Sequence, residues 1–227
     1  MSQALTFERV LIQQKGAPLI SLDARIDPGA VLTLMGPSGS GKSTLLAFAT
    51  GTLDQSFSAS GRILLGQHDI TKKPAQERRI GMMFQDDLLF PHLSVVGNLA
   101  FGLSPRIKGR AARRSAVEAA LAEAGLAGFA DRDPATLSGG QRARVALMRV
   151  LLAEPLAVAL DEPFSKLDSA LRAQIREFVL SHTRSRGLPV VLVTHDPADA
   201  DAAGGEVVVL GTPSEVPMPV GDLRRRG

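Results

Sequence analysis

Gly36, Pro37, Ser38, Gly39, Ser40, Gly41, Lys42, Ser43 and Thr44 satisfy every specified position of the phosphate-binding pattern G-x-x-x-x-G-K-[ST]. Glycines at this spacing let consecutive backbone N–H groups converge on an anion, where a Cβ would force them apart. The ligand that such a loop implies is a nucleoside triphosphate. Lys42 is then the reach to its β- and γ-phosphates, and the Ser43 hydroxyl a ligand for Mg²⁺. Further along lie residues able to complete a hydrolytic site. Asp161 is placed to hold Mg²⁺, and Glu162, one residue on, to accept a proton from an attacking water. His195 can hydrogen-bond a γ-phosphate and align water against Glu162. Gln85 suits either a γ-phosphate sensor that touches Mg²⁺ or an ordinary solvated strand end. A second glycine-bearing segment, Ser138, Gly139, Gly140 and Gln141, opens a helix and so forms another anion site, although one nucleotide seldom needs two.

Elements of the right kind surround these groups. Val31–Met35 is a short apolar run that reads as a buried parallel strand, and a helix containing Leu45, Leu46 and Phe48 follows the loop and stops at Gly51. Residues 80–84 end at Gln85, residues 156–160 (LAVAL) end at the two carboxylates, and residues 190–193 end at Thr194 and His195. Parallel sheets bind ligands beyond the carboxyl ends of their strands, so these three ends and the loop are predicted to converge. Residues 5–10, 19–26 and 62–65 read as a small antiparallel layer. Helices dominate from 86 to 154: one capped by Ser94, one over 110–124 and one beginning at Arg142. Residues 206–210 suit an edge strand.

The fold class expected is therefore α/β, a phosphate-loop core with a mostly parallel sheet, an N-terminal antiparallel subdomain and an inserted helical subdomain. A single domain of 1–227 is expected, its core drawn from 1–85 and 155–210, its helical part from 86–154 and its tail from 211–227. The 227 residues suffice for a buried core, and 44% apolar content is ordinary for a globular protein. A net charge of +3 gives no electrostatic case for nucleic acid. The basic cluster Arg106, Lys108, Arg110, Arg113 and Arg114 lacks the interleaved aromatics that stack bases, and reads as a solvated helix face. Cysteine is absent, which excludes disulfides and thiolate metal sites. No apolar run approaches the roughly 20 residues that span a bilayer, so any membrane role is expected to come through a partner.

Taken together, GPSGSGKST (36–44), FQDDLLFPHLSVVGNLAFGL (84–103), LSGGQRARVAL (137–147), LAVALDEP (156–163), FSKLD (164–168) and VTHD (193–196) make the chain resemble the ATP-binding cassette (ABC) ATPases of bacterial importers, to about residue 210. The LSGGQ segment ahead of a strand ending in DEP is the most specific of these. The resemblance implies an ATP-hydrolysing motor subunit with ATP and Mg²⁺ as cofactors, peripheral on the cytoplasmic face of the plasma membrane. It also explains the second anion site. In this family two cassettes meet head to tail, so Ser138, Gly139, Gly140 and Gln141 act in trans on nucleotide held by the partner, with Asp168 at the contact. A homodimer, or a pair with a similar cassette, is implied, as is a permease contacted through Gln85–Leu103, with Phe84, Leu89, Phe90, Pro91 and His92 as candidates.

Two departures from the family stand out. An aromatic usually precedes the second strand and stacks on adenine; Leu11, Ile12, Gln13, Gln14 and Lys15 supply none, so GTP is expected to compete well with ATP. Lys166 stands where a smaller residue is common. No appended C-terminal regulatory domain is expected. Ribosome-acting relatives need two cassettes, and chromosome ATPases a coiled-coil insertion that residues 86–136 lack. A cassette that regulates a membrane complex without moving solute remains the alternative reading.

Overall fold

The computed structural model describes residues 3–211, so the tail expected beyond 211 lies almost wholly outside the described residues. Strands β1 (Leu5–Gln14) and β2 (Ala17–Ile26) form a hairpin closed by Lys15 and Gly16, both at positive φ (51° and 80°), the backbone pattern that matches strand twist. β3 (Val31–Met35) leads into the phosphate loop and α1 (Lys42–Thr50), which Gly51 ends in a left-handed conformation. β4 (Phe57–Leu65) and β5 (His68–Asp69) complete an antiparallel sheet of order β2-β1-β4-β5. After α2 (Ala75–Arg78) come β6 (Ile80–Met83), α3 (Val95–Gly102), α4 (Arg110–Glu123), a 3₁₀ turn (Pro134–Thr136) and α5 (Gly139–Leu152). β7 (Ala157–Asp161), α6 (Ser169–Ser185), β8 (Val190–Val193), α7 (Pro197–Ala203) and β9 (Glu206–Val209) follow.

The second sheet is wholly parallel in the order β6-β7-β8-β3-β9. Its central strands are buried on both faces, and alternate side chains feed two cores. Leu32, Leu34, Ala157, Ala159, Val191 and Val193 pack with α1 and the antiparallel sheet; Val31, Val158, Leu160, Val190 and Leu192 pack with α5 and α6. The expected α/β architecture, parallel core, antiparallel layer and helical stretch are all present.

Boundaries differ in three places. The first two strands extend to Gln14 and back to Ala17, because pairing continues up to the turn. The strand expected over 62–65 begins earlier, at Phe57, held by pairing with β1 across a bulge at Arg9 (φ 46°). There Gly61 is required, since a Cβ would lie 2.4 Å from the Arg9 carbonyl oxygen. Finally, Gly139, Gly140 and Gln141 are the first turn of α5, not a loop before it.

Candidate functional site

The order of the parallel sheet decides which chemical groups can meet. β8 lies between β3 and β7, so the phosphate loop on β3, the carboxylates on β7 and His195 after β8 come off adjacent strand ends. Gly41, at φ 89°, lets the loop turn into α1 against Leu19 and Ile20, whose side chains would come within 3.0 Å of a Cβ. Lys42 is 7% exposed, and its ammonium donates to the carbonyls of Gly36 and Pro37 at 2.8 Å each and to Ser40 Oγ at 3.4 Å. The lysine is thus folded over the loop, with its charge already where phosphate oxygens would sit. Pro37, Ser38 and Gly39 are exposed, and Ser38, Gly39, Gly41, Lys42, Ser43 and Thr44 line one cavity of about 380 Å³.

Ser43 Oγ donates to Asp161 Oδ1 at 3.2 Å, joining the first turn of α1 to the end of β7. Burial pushes the Asp161 carboxyl above its usual range; the Ser43 hydroxyl and Lys42 oppose that shift, and neighbouring Glu162 adds to it. Glu162 also lines the cavity. Its backbone takes the left-handed conformation, φ 48°, which costs a non-glycine residue energy and concentrates at functional positions. The turn is held by Glu162 N–H donating to Val193 O at 2.9 Å and Ser165 Oγ donating to Glu162 O at 2.9 Å. As a result the Glu162 carboxylate Oε2 lies 3.2 Å from His195 Nδ1.

Phe57 is the residue that sequence reasoning missed. It pairs with Gln14 across β1 and β4, and with Gln14 and Leu19 it lines the phosphate-loop cavity. An aromatic side chain therefore does line the cavity, from β4 rather than from residues 11–15. Its only sequence signal is a lone phenylalanine opening a polar stretch.

Gln85 does not join this group. It lines a different cavity with Asp87, Gly139, Arg142 and Lys166. Ser138 caps α5 in a capping box: its Oγ accepts from Gln141 N–H at 3.3 Å, and Gln141 Oε1 accepts from Ser138 N–H at 2.9 Å. Gly140 is buried against α6, where a Cβ would meet Leu171 Cδ1 at 2.6 Å. Gly139 and the phosphate loop thus line separate cavities within one chain. Asp168 caps α6 by accepting from Leu171 N–H at 3.0 Å, and Lys166 is paired with Asp86.

A phosphate loop between a β-strand and a helix, with an acidic strand end beside it, defines a P-loop NTPase. Within that class the chain matches the ABC transporter family over residues 19–165, and it belongs to that family. It is 51% identical over 184 residues to the uncharacterized ABC transporter ATP-binding protein YnjD of Escherichia coli, covering 81% of this chain and 84% of that one. The Fe(3+) ions import ATP-binding protein FbpC of Rhizobium etli is 41% identical over 203 residues, 86% of this chain and 57% of that one. The thiamine import ATP-binding protein ThiQ of a Jannaschia species is 41% identical over 206 residues, covering 91% and 88%. This chain spans little more than half the length of the ferric-ion relative. It is the ATP-binding, ATP-hydrolysing component that defines the family.

Proposed function

We propose that this chain powers solute import through a membrane permease, hydrolysing MgATP as one half of a two-fold pair. The observation that carries the reading is the Glu162 carboxylate, fixed by its left-handed backbone at 3.2 Å from His195 and opening onto the cavity lined by Lys42 and Ser43. Glu162 accepts the proton of the attacking water, and His195 orients that water and the γ-phosphate. Lys42 releases the loop carbonyls for phosphate oxygens. Phe57 lies under the base.

Ser43 and Asp161 fit a divalent ion. They offer only two ligating side chains, and no cluster of three His, Cys, Asp or Glu able to hold a metal exists among the described residues. That suits Mg²⁺, which keeps water and phosphate ligands, and which would neutralise charge developing on the phosphates. Gln85 would join them on closure, when residues 86–154 move as a helical unit against the core of 1–85 and 155–210.

The N-terminus of α5 then acts in trans. Gly139, in the first turn of this helix, lines a cavity separate from that of its own phosphate loop, so we assign Ser138, Gly139, Gly140 and Gln141 to a partner's triphosphate. Asp168 lies at the start of α6, on the loop assigned to the contact between cassettes. Two-fold symmetry completes both sites with one surface. For the permease, Phe84, Leu88 and Phe101 are 46%, 53% and 71% exposed, and the Phe101 ring packs edge-on against half-buried Phe90 at 4.7 Å, which leaves apolar side chains open to a partner within or beside 85–103. We place a cytoplasmic segment of the permease there, and the chain on the cytoplasmic face of the membrane. No helix among the described residues is long and apolar enough to cross a bilayer.

Glu162→Gln tests the reading. We expect ATP affinity within about threefold of wild type, turnover reduced by about 10²-fold or more, and an ATP-stabilised dimer by sedimentation. Turnover near wild type would remove Glu162 as the base.

A further inference from the structure

His195 is exposed, and nothing in its own short segment fixes it; the residues on either side of it are tied to α6 instead. Asp196 is ion-paired with Arg172. Thr194 is buried, and its hydroxyl donates to Asp199 Oδ2 at 3.0 Å while accepting from Asp196 N–H at 3.1 Å. Asp199, 2% exposed, is held in turn by Arg176 at 2.9 Å, one helical turn beyond Arg172.

Arg172 has a second set of contacts. Its Nε donates to Phe164 O at 3.0 Å and an Nη to Ser165 O at 3.2 Å, the two residues that open the loop 164–168. Ser165 is the residue whose hydroxyl holds the Glu162 carbonyl. The contacts form a ring: Glu162 to Ser165, Ser165 to Arg172, Arg172 to Asp196, and His195 back to Glu162. One guanidinium, 22% exposed, makes both middle links. Its planar fork serves two carbonyls and a carboxylate from three separate nitrogens, whereas an ammonium would offer all its donors from a single atom.

We infer that Arg172 is a positioning residue that couples the 164–168 loop to His195, so that displacement of that loop by a partner cassette sets the distance between His195 and Glu162. The inference rests on the paired-cassette reading above. Arg172 does not line the phosphate-loop cavity, and its effect on hydrolysis runs through the placing of His195.

The test is ATP hydrolysis by the full chain carrying Arg172→Lys, Arg172→Ala or Asp196→Asn, each alone and with His195→Ala. Asparagine preserves the cap of α7 while removing the charge, so it reports on coupling even where an Arg172 variant folds poorly. We expect each single substitution to lower kcat about tenfold or more with KM for ATP within about twofold, and lysine to give no rescue. In the His195→Ala background the same substitutions should change the residual rate by less than about twofold, because the residue they act through is gone. Full rescue by lysine, a loss confined to KM, or equal factors in both backgrounds would overturn the coupling. A His195→Ala chain that hydrolyses at the wild-type rate would instead remove the site reading itself.

Discussion

Asp161 shows how a site residue burdens the fold that carries it. Its carboxyl is raised above the ordinary range by burial, so folding makes the ionised form harder to hold than it is in the unfolded chain. The stability this contributes is present at low pH and lost as pH rises through the raised value. At neutral pH the ionised group is a net cost. Asp161→Asn should therefore raise the melting temperature of the nucleotide-free chain by about 2–4 °C, near 1 kcal/mol for this size, while abolishing Mg²⁺-dependent hydrolysis. Calorimetry and a phosphate-release assay check both halves. Phe57 supports a different expectation. Stacking accepts any base, so Phe57→Ala should weaken ATP and GTP alike by about 5- to 150-fold, from 1–3 kcal/mol of lost stacking. Competition binding reads it, and a loss for ATP alone would place Phe57 elsewhere. The sequence predicts good competition by GTP from a missing aromatic; with Phe57 in the cavity the expectation rests instead on a ring without a base-edge hydrogen bond, which discriminates weakly. Lys42, Ser43, Asp161, Glu162 and His195 were legible because each lies in a short motif at a strand end. Phe57 was not, because its place depends on the register of β4 against β1, a pairing between distant segments.

The start of α5 separates a structural role from a chemical one. In sequence, the glycines argue against helix, each costing about 1 kcal/mol relative to alanine in a helix interior. They nonetheless form its first turn, because Gly140 gives α6 room to approach at Leu171 and the capping box satisfies the free N–H groups. The local signal was overridden by packing that only the folded chain contains. Ser138 serves as the cap, and in our reading also faces a partner's phosphates. Ser138→Ala should cost about 1 kcal/mol, the usual loss of a cap, and lower the melting temperature by about 2–4 °C. Ser138→Asp should restore that stability, since aspartate caps as well and suits the positive helix end. It should not restore hydrolysis, because its carboxylate would face the incoming triphosphate. If the aspartate variant hydrolysed ATP like wild type, Ser138 would have only the structural role. α7 makes the parallel case at its cap: backbone donation from Ala198, with Arg172 assisting, holds the Asp196 carboxyl below its usual range. Its contribution to stability is thus complete at neutral pH and fades only as acid titrates it below about 3.8.

At the scale of the molecule, our reading has a second copy bring the phosphate loop and the N-terminus of α5, which line separate cavities of one chain, onto one nucleotide. Each chain would contribute a phosphate loop to one site and the N-terminus of α5 to the other. Two disabled chains can therefore repair each other. Lys42→Ala loses its own loop but keeps a sound α5; Ser138→Asp keeps the loop and loses the α5 donor. Each alone builds only defective pairs. Mixed in equal amounts, half of the random pairs join the two variants, and each such pair holds one intact site of two. Phosphate release should then recover to about a quarter of wild type if the sites fire independently, and to less if each needs the other occupied. Either recovery exceeds what the separate variants give, and it should rise with protein concentration as pairing does. A mixture that forms mixed pairs by sedimentation yet hydrolyses no faster than its components would show that Ser138 serves its own chain's nucleotide, and the two-fold arrangement would fall with it.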